Sequence, residues 1–220
     1  MYHQKLDTAR HRRNRQRLVE EVRSKGIHNE DVLAAIAAIP RHFFVSASRE
    51  ELAYLDQPVP IGEGQTISQP YTVAYQTELL NVSPADKILE IGTGSAYQAC
   101  VLSELGAQVY TIERQKRLFE KYQVSSYLQQ CRNVHFFYGD GHEGLPEYAP
   151  FDKILITAAT AEIPRVLIDQ LKHGGQLVAP LGTQDQSQMM VRITKEKDGT
   201  LTHEAFNQFR FVPMLEGTTG

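Results

Sequence analysis

Apolar residues recur along this chain at two spacings, and the change from one to the other divides it. Over residues 5–25, Leu6, Ala9, Leu18 and Val22 stand among Arg10, Arg12, Arg13, Arg15 and Arg17, which predicts a helix stopped by Gly26. Asn29 is placed to cap a second helix, with Glu30 and Asp31 in the first turn where acidic side chains suit the helix dipole. Its apolar positions Val32, Leu33, Ile36 and Ile39 keep helical spacing, and Pro40 ends it. Phe43, Phe44 and Val45 are expected to anchor this helical layer to the main body.

From residue 87 strands and helices alternate. Strands are predicted at 87–91, 107–112, 133–138, 152–157 and 176–181, with helices at 95–105, 114–130 and near 164–172. Near-continuous apolar runs such as Lys153-Ile154-Leu155-Ile156 predict strands buried on both faces, hence a parallel sheet. The chain closes with alternation around Val191 and Ile193, an Asp198-Gly199 turn and a return through Leu201, the pattern of an antiparallel hairpin. Between the two regimes, Pro58 to Tyr71 reads as a loop rich in proline and glycine. Pro70 opens the next helix, which runs through Val73, Leu79 and Leu80 and is broken by Ser83-Pro84. The expected fold is therefore α/β, a mostly parallel, doubly wound Rossmann-like sheet with an antiparallel C-terminal edge and an N-terminal helical layer. One domain over 1–220 is expected, with the layer at 1–57, a loop and helix at 58–83 and the sheet core at 84–220.

Composition changes the picture little. With 220 residues, 41% hydrophobic and 22% charged, the chain suits one soluble globular domain, and no apolar run approaches the roughly 20 residues that span a bilayer. The N-terminus lacks the apolar core of a secretory signal, so a cytoplasmic location is expected, with no membrane partner. Cys100 and Cys131 are too few for a disulfide framework, and the eight histidines show no metal-ligand spacing, so no metal is expected. Charge is uneven: residues 1–25 hold eight Lys/Arg and three Asp/Glu, whereas the whole chain is at −3. A basic arm can bind nucleic acid, but the rest of the chain is acidic, and a solvated helix face is the reading adopted.

The chemistry-bearing stretch is Lys87 to Gln98. An apolar strand, Ile88-Leu89-Glu90-Ile91, runs into Gly92-Thr93-Gly94 and then into a helix, which places a ligand beside backbone N–H groups. A plain strand-to-helix turn would look similar. The full dinucleotide fingerprint has a third glycine where Tyr97 stands here, so a nucleoside fits better than a pyrophosphate. Glu113 ends the second strand about 20 residues on, suited to a ribose diol, and Gly139-Asp140-Gly141 follows the third strand. Two acidic acceptors at one sheet edge suit ribose and the amine of adenine and tolerate a cation. S-adenosyl-L-methionine, which has no phosphate, answers that description better than NAD.

Taken together, Pro60-Ile61-Gly62-Glu63-Gly64-Gln65-Thr66-Ile67-Ser68-Gln69-Pro70-Tyr71, Ile88 to Ser95, Gly139-Asp140-Gly141 and Phe211-Val212-Pro213-Met214 resemble the protein-L-isoaspartate O-methyltransferase family. The likeness runs from about residue 18 to residue 217. It departs from the family's pattern at Ala96, where glycine is usual, and in the basic arm before residue 18. The resemblance implies the class I S-adenosylmethionine-dependent methyltransferase fold. It also implies methyl transfer to the free α-carboxylate of isoaspartyl residues in peptides and proteins, with S-adenosyl-L-homocysteine as product and collapse of the ester to a succinimide. Ser68 is then the expected catalytic residue. Gln69, Tyr71, Glu90, Gly92, Gly94, Glu113, Asp140 and Gly141 are expected at the cofactor, and Thr66, Ile67, Val212 and Leu215 at the substrate. A monomer that does not bind nucleic acid is expected. The alternatives are a carboxyl or small-molecule methyltransferase with another acceptor, or a nucleic-acid-binding protein using the arginine arm, with a NAD-dependent dehydrogenase weakest.

Overall fold

A computed structural model describes residues 6–123, 125, 127–131, 133–183 and 185–220, and among them lie nine strands and six α-helices. The helices are α1 (Ala9–Ser24), α2 (Glu30–Ala38), α3 (Pro70–Leu80), α4 (Tyr97–Glu104), α5 (Lys116–Gln123) and α6 (Arg165–Asp169). The strands are β1 (Val59–Gly62), β2 (Gln65–Ile67), β3 (Lys87–Ile91), β4 (Gln108–Glu113), β5 (Val134–Tyr138), β6 (Phe151–Ile156), β7 (Leu171–Leu181), β8 (Gln188–Lys195) and β9 (Leu201–Phe209). The main sheet has seven strands in the order β5-β4-β3-β6-β7-β8-β9. β3 to β7 are mutually parallel, while β8 and β9 run antiparallel and form the expected C-terminal edge. The order reverses at β3, so a crevice opens beyond the carboxyl ends of β3, β4 and β6.

Side chains alternate across β3. Ile88 joins the core under α1 to α4, while Leu89 and Ile91 join the core on the opposite face with Leu167 and Ile168 of α6. Both faces are dry, which is why the parallel strands read as apolar runs.

The N-terminal layer is built as its pattern predicts, with two refinements. α1 starts at Ala9 because Thr8 caps it: the Thr8 hydroxyl accepts from the His11 N–H, and the Thr8 N–H donates to His11 Nδ1. Lys5 lies outside the described residues. The other refinement is that α1 is not basic and solvated all round. Arg15 is 7% exposed, donating to the Ala37 carbonyl at 2.6 Å and the Tyr54 hydroxyl at 3.1 Å, and pairing with Asp7 at 3.0 Å. α2 is capped by Asn29 Oδ1, accepting from the N–H groups of Asp31 and Val32, and it packs on α1, α3 and α4.

Three other expectations differ from the structure. The helix expected over 114–130 is α5 only to Gln123, followed by a 3-10 turn at Leu128–Gln130. β7 begins at Leu171, so α6 is short. The stretch from Pro58 to Tyr71, read as a loop, contains the β1–β2 hairpin: Glu63 and Gly64 adopt φ of 51° and 69°, the left-handed pair that a tight two-residue hairpin turn requires.

Candidate functional site

Six segments meet at the crevice: the turn after β3, the residues after β4, β5 and β6, the end of β2 leading to Ser68, and the strand-like run 212–215. The turn after β3 hangs from β4, because the N–H groups of Gly92 and Thr93 both donate to the Ile112 carbonyl at 3.0 and 3.2 Å. From the other side the Thr157 hydroxyl donates to the carbonyls of Ile91 and Gly92 at 2.9 and 2.8 Å. Gly92, at φ 96°, could not carry a side chain, since a Cβ would lie 2.6 Å from Thr157 Oγ1.

Glu113 sits at the rim with its carboxylate aimed back at this turn, accepting from the Gly94 N–H at 2.8 Å and the Gln115 N–H at 2.8 Å. Burial raises its pKa, while those two backbone donors pull the other way. A carboxylate has about four acceptor sites, so those left over can take the two hydroxyls of a ribose. On these grounds the residues present fit a nucleoside at the turn.

Glu90 lies beneath the turn, fully buried and beside Thr111 in the register of β3 and β4. Thr111 Oγ1 donates to it at 2.5 Å and is 2.7 Å from Thr93 Oγ1, so a chain of hydroxyls links Glu90 to the cavity wall. Its other oxygen has no partner among the described residues. Burial, aided by the negative charge of Glu113, pushes its pKa up to about 8, so at neutral pH it holds a proton.

The expected site residues fall into three groups. Thr66, Ile67, Ser68, Gly92, Gly94, Glu113, Gly141, Val212 and Leu215 line one cavity. Gln69 and Tyr71 face instead a second cavity of ≈ 630 Å³, bounded also by Thr66, Ser68, Thr157, Phe209, Arg210 and Val212. They are held there by Asp56, whose carboxylate accepts from the Gln69 side-chain amide at 2.9 Å and the Tyr71 N–H at 2.8 Å. Glu90 and Asp140 stand behind the walls. Asp140 accepts from the His142 N–H at 2.8 Å and the Gly217 N–H at 2.6 Å, tying down the C-terminal run that carries Met214 and Leu215 over the crevice.

Ser68 belongs to both cavities. It does not cap α3: the N-cap is Gln69, with no side-chain capping bond. No described protein group engages the Ser68 hydroxyl. Thr157, Thr93 and Met214 are wall residues that the pattern did not single out. Thr157 follows directly on β6, and the rule that ligands gather at carboxyl ends of parallel strands would have found it.

Among the described residues one group of metal-type donors comes together, Asp7, His11 and His42, within 4.8 Å of one another. The two imidazoles stack with centroids 3.8 Å apart, their ring nitrogens already lie within hydrogen-bond reach of Leu6, Glu50 and Tyr54, and Asp7 is held by both Nη atoms of Arg15. That arrangement is a polar core network and does not suit a metal site.

Comparison with known proteins bears on the family of the chain. The family model for protein-L-isoaspartate(D-aspartate) O-methyltransferase matches residues 13–219. A protein-L-isoaspartate O-methyltransferase of Flavobacterium psychrophilum is 50% identical over 210 residues, covering 96% of this chain and 98% of that one. Its counterpart in Dictyoglomus thermophilum is 46% identical over 216 residues, covering 98% and 97%. Among solved structures, a protein-L-isoaspartate O-methyltransferase superposes with a TM-score of 0.81 at 27% identity over 94% of this chain and 66% of that one. A putative protein-L-isoaspartate O-methyltransferase of Plasmodium falciparum, in complex with S-adenosyl-L-homocysteine, gives 0.80 at 26% identity, covering 92% and 98%.

The turn can be tested at two positions. The helix predicted from residue 95 would make Ala96 helical; it is instead the left-handed N-cap of α4, with φ 65° and ψ 11°, and is fully buried. Leaving that conformation to glycine relieves about 1–2 kcal/mol, while losing a buried methyl costs about 0.8 kcal/mol. Ala96→Gly should therefore change stability by no more than about 1 kcal/mol, checked by denaturant unfolding. Glu90, with its folded-state pKa raised above 4.5 to about 8, contributes stability that is complete below pH 4.5 and is lost as pH rises through 8. Glu90→Gln, a neutral mimic, should flatten that decline and melt several degrees above the parent at pH 8.5, with little difference at pH 5.

Proposed function

The chain belongs to the protein-L-isoaspartate(D-aspartate) O-methyltransferase family, and from that premise we propose how its residues divide the work. The reaction is S-adenosylmethionine-dependent methylation of the free α-carboxylate of isoaspartyl residues in peptides and proteins, the entry step to repair through a succinimide. The bound S-adenosylmethionine supplies an activated methyl group carried on a sulfonium. The acceptor α-carboxylate has a pKa of about 3.5 and is already ionised at neutral pH, so the protein has no proton to remove. What remains is alignment and exclusion of water, and alignment can be worth roughly 7–11 kcal/mol of barrier.

In this reading Gly92 and Gly94 admit the ligand to the backbone, Glu113 takes the ribose, and Gly141 and the run from Val212 to Leu215 close over it. Glu90 acts from beneath, keeping the turn in place through Thr111 and Thr93. Thr66, Ile67, Gln69, Tyr71 and Val212 line the side from which the peptide enters. Ser68 donates a hydrogen bond to the acceptor carboxylate and turns one oxygen toward the methyl group. The observation that carries this is the position of Ser68, a hydroxyl unclaimed by the described protein groups on the wall common to both cavities.

The enzyme works as a monomer in the cytoplasm, a location supported by its two free thiols. The arginine arm is structural. Arg10, Arg12, Arg15 and Arg23 pair with Glu51, Asp7 and Glu30 inside the same layer, which removes most of the positive field a nucleic acid would meet.

A hydrogen bond to a charged acceptor contributes about 1.5–3 kcal/mol. Ser68→Ala should therefore lower kcat on an isoaspartyl peptide roughly ten- to a hundred-fold. The affinity for S-adenosyl-L-homocysteine, read by calorimetry, should stay within about threefold. Equal turnover in mutant and parent removes Ser68 from the mechanism, and methylation of the matched aspartyl peptide removes the specificity. Arg13→Glu with Arg17→Glu should leave turnover unchanged, and the parent should show no binding of duplex DNA tighter than about 1 μM at physiological salt by fluorescence anisotropy.

A further inference from the structure

The largest fully buried side chain among the described residues is a cation. Arg41 opens the 3-10 turn Arg41–Phe44 after α2 and is 0% exposed. Its Nη2 donates to the Ser68 carbonyl at 2.6 Å, and its Cζ lies 4.7 Å from the centroid of the Tyr97 ring. Nε and Nη1 meet no acceptor among the described residues. A buried guanidinium with unmatched donors is a costly thing to keep in a core, and an apolar side chain of similar volume would cost less. Burial lowers its pKa only to about 10, so it stays charged at neutral pH.

What this cation achieves is local. On the far side of Ser68 the Asp56 carboxylate, 1% exposed, holds the Gln69 amide and the Tyr71 N–H and pairs with Lys25. The backbone from Ser68 to Tyr71 is thus gripped from both ends, by Arg41 on the carbonyl of the first residue and by Asp56 on the amide of the last. Fixing the Ser68 carbonyl fixes its ψ, and ψ limits the rotamers open to its hydroxyl. Against burial, Tyr97 and after it the Asp56 charge favour the charged state of Arg41. Neither Arg41 nor Asp56 lines the cavities.

We infer that Arg41 is the positioning residue for Ser68: its bond to the Ser68 carbonyl, braced by Asp56 on Gln69 and Tyr71, sets the direction in which the serine hydroxyl meets the acceptor carboxylate. The inference rests on the role of Ser68 proposed above, and the test separates the two.

Four full-length variants are needed: Ser68→Ala, Arg41→Gln, Arg41→Lys and the double variant Ser68→Ala with Arg41→Gln. Each is measured for kcat and KM on an isoaspartyl peptide and for the Kd of S-adenosyl-L-homocysteine. Arg41→Gln should lower kcat about tenfold and leave the Kd within about threefold. Arg41→Lys, which keeps charge and one donor, should recover part of the loss. Because Arg41 acts through Ser68, the double variant should be no slower than Ser68→Ala alone, within about twofold. If Arg41→Gln does not fold, Arg41→Lys is compared in the parent and in the Ser68→Ala variant to the same end. Full kcat in Ser68→Ala would reject the serine's role and Arg41's with it. A slow Ser68→Ala beside a fully active Arg41→Gln and Arg41→Lys would reject Arg41 alone. Losses that multiply in the double variant would make Arg41 independent of Ser68 and overturn the inference. So would a weakened Kd with kcat intact, which would place its work at Tyr97.

Discussion

The site depends on the end of one strand being held from both sides. β3 lies between β4 and β6, and where it leaves the sheet its carbonyls and N–H groups do not go free. The Ile112 carbonyl takes the N–H groups of Gly92 and Thr93, and the Thr157 hydroxyl takes the carbonyls of Ile91 and Gly92. Backbone groups in a dry crevice must find partners, and here the partners come from the two neighbouring strands of the switch point. The turn is therefore set by the sheet register together with the glycines that let the backbone follow it. A reaction that needs alignment more than proton transfer suits such a rim, because the walls are held in place before any ligand arrives.

The shifted titratable groups agree with that view. Glu90 is held protonated by burial, and His42 is held neutral, its pKa lowered to about 4 by burial and by the neighbouring His11. Glu90 has a pKa near neutrality but is buried behind the cavity wall, and His42 has neither the pKa nor the position that an acid–base mechanism would need. Glu90 serves a hydroxyl chain under the turn, and His42, 2.6 Å from the Tyr54 hydroxyl, serves the packing of the N-terminal layer. Their perturbation reports burial, and it would mislead a search for catalysts that looked at pKa alone.

Much of this was legible in the residues, and the exceptions share a cause. Parallel strands buried on both faces announce themselves as apolar runs, so β3, β4, β5 and β6 lie within a residue or two of their expected places. The glycine turn and Glu113 were visible because strand, turn and acid recur at a spacing that the fold imposes. The β1–β2 hairpin was hidden by its prolines and glycines, which signal turns whether or not short strands flank them. The division between the two cavities was hidden for a different reason. Gln69 and Tyr71 sit beside Ser68 in sequence, yet Asp56 turns them toward the second cavity, and no local pattern encodes a contact over 13 or 15 residues. The same holds for Arg41, which looks like one more basic residue until the Ser68 carbonyl is found 27 residues away.

These long-range contacts assign different origins to the two halves of the chemistry. The cofactor side is made by the sheet itself, from β3, β4 and β6 and the turns that follow them. The proposed acceptor side is aimed from outside the sheet, since Arg41 and Asp56 precede β1 yet hold the backbone of residues 68–71, with Lys25 paired to Asp56 behind them. A Rossmann-like core alone would thus present a methyl donor without directing it at any particular acid. The helical layer, whose basic face first suggested a partner of opposite charge, buries Arg15 and Arg41 and pairs several of its exposed charges within itself. Some of them hold α1 to the segment around Glu50 and Glu51, and others hold the serine-bearing segment at the mouth of the crevice. On the proposed role of Ser68, selectivity follows less from the sheet than from the layer that fixes where one hydroxyl points.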